Sequence, residues 1–133
     1  MSDYILPEVW ENPTSMGGTW GGLNQPTAGA RFEQTLPKGD QPFQLYTFPT
    51  PNGIKATIML EELKELGVTQ AGYDAYRIKI GDGAQFGSDF VAINPNSKIP
   101  AMMDYSEDQP VRVFESANIL LYLAEKFGKL IPT

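Results

Sequence analysis

The chain has 133 residues, and its 16 acidic and 10 basic side chains give a formal net charge of −6. It contains no cysteine and no histidine, so its own side chains supply no disulfide, no thiolate nucleophile, no zinc–thiolate site and no imidazole base. The pI near 4.5 argues against nucleic acid or an anionic membrane as a partner, because both require a basic face. Any chemistry therefore depends on backbone amides, hydroxyls, carboxamides, carboxylates, a few lysines or arginines, or a bound thiol or cofactor.

The first 42 residues differ in composition from the rest. They contain six of the 13 glycines, five of the 11 prolines and both tryptophans, Trp10 and Trp20. No helical or strand period runs through them, which predicts an irregular N-terminal extension. Disordered segments seldom contain two tryptophans, so we expect the extension to lie on the body of the protein or on a partner. A flexible leader is the alternative.

The N-terminus indicates where the protein resides. It has no basic region followed by an apolar one, so it does not resemble a secretory signal. The longest apolar run is far too short to span a bilayer. Together with the absence of cysteine, these features predict a cytoplasmic protein.

The remaining residues alternate between strand and helix patterns. Residues 43–48 form an apolar, aromatic segment that predicts a strand, and a helix is expected at 54–66. Gly67 is the expected stop of that helix. Its apolar residues are expected to form the buried face: Ile54, Ile58, Met59, Leu63 and Leu66.

Five more elements are expected further along the chain. They are a strand at 73–80, a short helical turn at 89–93, strands at 101–104 and 111–115, and a helix at 116–127. Ser116 is the expected N-cap of the last helix, and Gly128 lies near its end. The order β-α-β-α-β-β-α predicts an α/β protein with a thioredoxin-like fold and a mixed four-stranded sheet. Flavodoxin-like and ferredoxin-like folds are the alternatives.

Thr50, Pro51, Asn52 and Gly53 stand between the first strand and the first helix. α/β folds place ligand sites there, at the carboxyl ends of strands and the positive N-termini of helices. The Thr50 hydroxyl and the Asn52 carboxamide are each able to donate a hydrogen bond to a thiolate and so lower the pKa of that thiol. The alternative is structural, with Thr50 and Asn52 capping the helix and Gly53 shaping the turn.

A second polar segment, residues 94–101 with the sequence NPNSKIPA, precedes the third strand. Pro100 stands where a cis peptide bond would expose the backbone N–H and C=O of Ile99 to a ligand peptide. Most X-Pro bonds are trans, so an ordinary loop is the alternative.

Glu115 and Ser116 close the fourth strand and open the last helix. A serine cap with free amides suits a carboxylate, and the adjacent glutamate suits an ammonium group, so the pair would recognise the α-amino-acid end of a ligand. An ordinary cap after a surface glutamate is the alternative. In a thioredoxin-like arrangement all three segments lie at the same end of the sheet, and together they suit a small peptide thiol.

Four longer segments carry a resemblance to a known family: LYTFPTPNGIKATIMLEEL, YRIKIGDGAQF, FVAINPNSKIPAM and VRVFESANILLYLAEKFGKLIP. They are similar to the N-terminal domain of glutathione S-transferases. More narrowly, they resemble the bacterial nu class and the related fungal nitrogen-regulator group, which act as glutathione-dependent disulfide-bond reductases. The upstream segment LNQPTAGARFEQTLPKGDQPFQLY resembles the extended N-terminus of the nu class, so the match runs from about Leu23 onward.

The resemblance implies roles for the residues around Thr50 and for those around Pro100. Thr50 and Asn52, with Pro51 between them, would hold the glutathione sulfur. Ile99, before an expected cis-Pro100, would pair its backbone with the cysteinyl part of glutathione.

The resemblance also implies contacts with the two ends of glutathione. Glu115 and Ser116 would bind its γ-glutamyl amino and carboxylate groups. Gln85 matches a position that reaches the glycyl end, and Asn24 matches a residue that lines the site in the nu class. Lys98 would contact a carboxylate, with a solvated loop lysine as the alternative.

The implied activity is thiol–disulfide exchange by glutathione, a cosubstrate, with a small disulfide or electrophile as second substrate and no metal. The domains expected in the chain are an extension at 1–42, a glutathione-binding domain at 43–128 and the start of a linker at 129–133. Family members continue into a helical C-terminal domain, which we expect to be absent here, and the full-length form is expected to be a homodimer. One alternative is a non-catalytic glutathione-binding, protein-interaction or regulatory module, and another is an α/β domain without a ligand.

Overall fold

The computed structural model of the protein describes residues 5–9, 18, 21–23 and 29–132. The strands of this part are β1 (Phe43–Thr47), β2 (Tyr73–Arg77), β3 (Ala101–Asp104) and β4 (Val111–Phe114). Its α-helices are α1 (Pro51–Glu65), α2 (Ser88–Ile93) and α3 (Ser116–Phe127). Short 3-10 turns occupy Gly21–Leu23, Thr69–Ala71, Ile80–Asp82 and Ala84–Phe86.

The four strands form one mixed sheet in the order β2-β1-β3-β4. β1 pairs in parallel with β2 and antiparallel with β3, and β3 and β4 form an antiparallel hairpin. A βαβ unit followed by a hairpin and a closing helix is therefore present, and the predicted thioredoxin-like α/β fold is confirmed.

The central strand β1 is buried on both faces of the sheet. Phe43 and Leu45 belong to the core shared with α1 and α3, whereas Tyr46 packs with Phe90 and Ile93 of α2. A strand covered on both faces has no solvent-facing side, so even the polar Gln44 of β1 is completely buried. The layout fixes the carboxyl end of β1 between helices on both sides.

The predicted inner face of α1 was partly wrong. The helix begins at Pro51, three residues earlier than expected, and three residues assigned to its inner face are exposed by about half: Ile54 (45%), Ile58 (53%) and Leu66 (52%). The buried positions are Gly53, Ala56, Met59, Leu60 and Leu63. Gly53 lies close to the turn after β1, and Gly67, at φ 77°, follows the helix as predicted.

Position 53 has no room for a side chain, so it requires glycine. A Cβ atom at this position would lie 2.0 Å from the carbonyl oxygen of Phe48, a backbone atom that cannot rotate away. We therefore expect Gly53→Ala to lower the free energy of unfolding by about 2 kcal/mol, measured by urea denaturation. Gly81→Ala is the control, because a Cβ there meets nothing within 4 Å. Equal stability of the two variants would contradict the close approach.

Part of the N-terminal extension lies along the body. Phe32 bridges Gly87 in parallel, and the Gln34 backbone N–H donates to Ser88 Oγ at 2.9 Å. The hydroxyl of Tyr46 donates to the Pro37 carbonyl at 2.8 Å. Trp10 and Trp20, on which the expectation for the extension rested, lie outside the described residues. No described helix is long and apolar enough to cross a membrane.

Candidate functional site

A cleft of about 280 Å³ opens where β1 ends, between the turn into α1 and the segment before β3. It brings together five residues that the sequence nominated: Thr50, Asn52, Gln85, Lys98 and Ile99. Three other residues complete the lining: Leu23, Ile80 and Ser97. Asn24 lies outside the described residues, so its predicted place at the site is not described.

The β1–α1 turn presents two hydrogen-bond donors. Thr50 is the N-cap of α1, and its Oγ1 accepts a hydrogen bond from Gly53 N–H at 3.2 Å, so its O–H remains able to donate. The carboxamide oxygen of Asn52 accepts from Lys55 Nζ at 3.0 Å, which leaves the Asn52 NH₂ group as the donor. Capping and ligand binding are therefore compatible, because the cap uses an acceptor and leaves a donor. Pro51 occupies the first helical position between them.

The cis-proline loop, residues 94–100, forms the opposite wall. The Ile99–Pro100 peptide bond is cis, which confirms the expectation from the family resemblance. Asn94 is fully buried and holds the loop, donating from Nδ2 to the Lys98 carbonyl at 2.7 Å and accepting from Asn96 N–H at 2.9 Å. No backbone hydrogen bond from the rest of the described chain engages Ile99, whose N–H and C=O therefore suit an extended peptide.

Glu115 and Ser116 lie beside the cleft lining without belonging to it. The predicted serine cap is wrong: Glu115 is the N-cap, because its φ of 69° turns the chain out of β4 and its carbonyl accepts from Ile119 N–H at 2.9 Å. Ser116 is the first helical residue, and the first amides of α3 have no partner within the helix. Asn96 Nδ2 donates to Glu115 Oε1 at 3.2 Å and links this pair to the cis-proline loop.

Gln85 and Lys98 occupy the remaining part of the wall. Gln85 lies in the turn Ala84–Phe86 with only 4% of its surface exposed, and its Oε1 has no hydrogen-bond partner among the described residues. Lys98 is an exposed cation of the cis-proline loop. An amide and an ammonium group at one side of a cleft are able to donate hydrogen bonds to a carboxylate or carbonyl oxygen of a ligand.

The sequence did not single out Leu23, Ile80 or Ser97. Ile80 was assigned to β2, but that strand ends at Arg77 and the chain turns at Ile80–Asp82 into the cleft wall. Ser97 stood within the NPNSKIPA segment, where a left-handed backbone is not visible from composition. Among the described residues there is no group of three or more His, Cys, Asp or Glu that could hold a metal ion.

Comparisons with known proteins identify relatives of this chain. Residues 51–126 match the family model described as the glutathione S-transferase N-terminal domain. An uncharacterised GST-like protein of Streptococcus mutans is 60% identical over 132 residues, covering 99% of this chain and 50% of the relative. The disulfide-bond oxidoreductase YghU of Escherichia coli is 58% identical, covering 97% of this chain and 45% of the relative.

A solved structure shares both sequence and fold. The glutathione transferase YghU of Streptococcus pneumoniae, in complex with glutathione, is 65% identical and superposes with a TM-score of 0.91. The alignment covers 98% of this chain and 50% of that structure. The chain therefore spans about half the length of the relatives it matches.

Proposed function

Because the chain belongs to the glutathione S-transferase N-terminal domain family, we propose that it is the glutathione-binding part of a glutathione-dependent disulfide reductase or transferase. One observation carries the proposal. Two donors, from Thr50 and Asn52, share a cleft with Ile99, which precedes a cis-proline and whose backbone pairs with no other backbone group of the described residues. A peptide that pairs with Ile99 would bring a side chain at that point into reach of both donors.

The donors act on the sulfur. A thiolate accepts hydrogen bonds more strongly than a thiol, so donors aimed at the sulfur favour the ionised form and lower the thiol pKa. The positive N-terminus of α1, a helix of 15 residues, adds to this effect. The protein thus needs no cysteine of its own, since it positions and ionises the sulfur of glutathione.

The chemistry is thiol–disulfide exchange in two balanced steps. The thiolate of bound glutathione attacks one sulfur of a substrate disulfide, forming a mixed disulfide and releasing the other half as a thiolate, which takes up a proton. A second glutathione thiolate attacks the mixed disulfide, yielding oxidised glutathione and the second reduced half. The role of Thr50 and Asn52 is to hold the first sulfur in its ionised state.

The ends of glutathione would be held apart from the sulfur. Glu115 offers a carboxylate to the γ-glutamyl ammonium group, and the amides at the start of α3, with the Ser116 hydroxyl, suit its carboxylate. Gln85 and Lys98 stand at the other side, where the glycyl carboxylate would lie. Asn24 would add a contact from the extension.

Calorimetric titration of this chain tests the proposal directly. We expect saturable binding of reduced and of oxidised glutathione, and about tenfold weaker binding by Glu115→Gln, because the ammonium group loses its opposite charge. Glu125→Gln, an exposed carboxylate further along α3, is the matched control and should bind as the parent does. Absence of heat with both forms of glutathione would overturn the proposed function.

The activity of the whole protein is a further part of the proposal. The relatives are about twice as long as this chain, and we propose that turnover with a small disulfide or electrophile needs a second, helical domain in a cytoplasmic homodimer. Reduction of hydroxyethyl disulfide, assayed with this chain and with any longer form, tests this. Binding without turnover in both would favour a non-catalytic binding module instead.

A further inference from the structure

Ser97 combines two features that are unfavourable in a folded protein. Its backbone adopts φ 53°, in the left-handed region that glycine tolerates and a serine side chain disfavours. Its side chain is 4% exposed, and its Oγ has no hydrogen-bond partner among the described residues. A buried hydroxyl without a partner loses its bonds to water and gains nothing in return.

The local fold does not require this hydroxyl. The backbone of Ser97 is held by its N–H, which donates to the Asn94 carbonyl at 3.0 Å. The side-chain bonds of the cis-proline loop come from Asn94 and Asn96. A glycine at position 97 would keep all of these bonds and remove the backbone strain. The presence of serine therefore needs another explanation.

The position of Ser97 supplies that explanation. Ser97 lines the cleft together with Lys98 and Gln85, and the Oε1 of Gln85 is also buried and has no hydrogen-bond partner in the described part of the chain. Two unpartnered oxygens thus belong to residues of one wall, beside a cation. Both oxygens are covered by protein, so a ligand would reach Ser97 Oγ only after rotation of the side chain about χ1.

We infer that Ser97 is a ligand-binding residue whose hydroxyl turns into the cleft and donates a hydrogen bond to the glycyl carboxylate of glutathione. This inference rests on the proposed function. The sulfur would face Thr50 and Asn52, and the γ-glutamyl end would face Glu115, which leaves the glycyl carboxylate for the wall of Ser97. On this inference, the serine at position 97 increases the affinity for the ligand and lowers the free energy of unfolding of the protein.

The inference predicts effects of opposite sign on stability and affinity. Ser97→Ala is expected to raise the urea midpoint, because it removes an unpartnered hydroxyl, and to weaken glutathione binding about tenfold. Ser97→Gly should raise the midpoint as well, and it should weaken binding similarly. Ser88→Ala is the matched control, because Ser88 Oγ accepts from Gln34 N–H at 2.9 Å and donates to its carbonyl at 3.2 Å. That variant should lose stability and keep its affinity.

A second ligand identifies the group that Ser97 contacts. γ-Glutamylcysteine lacks the glycyl residue, so Ser97→Ala and the parent chain should bind it equally. An equal affinity of parent and Ser97→Ala for glutathione would overturn the inference while leaving the proposed function intact. A lower urea midpoint for Ser97→Ala, or an equal loss of affinity for both ligands, would also overturn it. Absence of glutathione binding by the parent would instead overturn the proposed function.

Discussion

Thr50→Val is expected to raise the thiol pKa of bound glutathione by about one to two units and to slow disulfide reduction by roughly 10- to 100-fold. Valine keeps the shape of threonine but cannot donate a hydrogen bond, and a hydrogen bond to a charged group contributes about 1.5–3 kcal/mol. Ultraviolet absorbance of the thiolate, followed across pH with glutathione bound to this chain, measures the pKa shift without requiring turnover.

Two variants separate the proposed effect of Thr50 on the thiol pKa from its effect as the helix cap. Thr50 Oγ1 also accepts from Gly53 N–H, so valine removes the cap and about 1 kcal/mol of folding free energy. Thr50→Ser keeps the acceptor and the donor, and should restore both the cap and the low thiol pKa. A thiol pKa that is unchanged in Thr50→Val would show that Thr50 acts only as a cap.

The sequence predicted the order of the elements, and it singled out the turn into α1 and the loop before β3, which line the cleft. These features are local: an apolar run followed by Thr50-Pro51-Asn52 contains both the strand and the start of the helix that follows it. The loop with Asn94 and Pro100 likewise contains the polar groups that hold it together. A short segment of chain suffices for such features, because their partners are close in sequence.

Features that depend on backbone conformation and on packing were predicted wrongly or not at all. α1 carries apolar residues on more than one side, and the packed structure buries Leu60 and Leu63 but leaves Ile54 and Ile58 about half exposed. The N-cap of α3 is Glu115 and not the predicted Ser116, because the backbone at the end of β4 is left-handed. Leu23 lines the cleft although it lies well before β1 in the sequence. Each of these needs the packed structure.

The opposite end of β3 contains a buried carboxylate, and its loss is expected to have the largest effect on stability. Asp104 is completely buried and accepts from Tyr122 O–H at 2.6 Å and from Ser106 N–H at 2.7 Å. Lys126 lies 3.1 Å from its Oδ2 and also pairs with Glu107. The carboxylate thus joins the β3–β4 hairpin to two successive turns of α3, at the end of β3 away from the cis-proline loop.

Asp104→Asn is expected to lower the free energy of unfolding by about 3 kcal/mol near neutral pH. Asparagine offers one acceptor oxygen in place of two, so either Tyr122 or Ser106 faces an NH₂ group, and Lys126 loses a buried opposite charge. Asp108→Asn, an exposed carboxylate in the same turn, is the matched control and should change stability little. Because the site lies at the other end of the sheet, both variants should bind glutathione as the parent does.

The stability difference between the parent and Asp104→Asn is expected to depend on pH. Burial raises the pKa of Asp104, but hydrogen bonds from Tyr122, Ser106 and Lys126 outweigh burial and hold that pKa below its ordinary value of 3.8. A carboxyl whose pKa is lower in the folded state contributes fully above its unfolded pKa, and its contribution is lost as pH falls through the folded pKa. The stability difference between the parent and Asp104→Asn, measured by urea denaturation, should therefore be constant above about pH 5 and shrink below about pH 4. A difference that stays constant into acid would mean that the ionised carboxylate is not what stabilises the hairpin against α3.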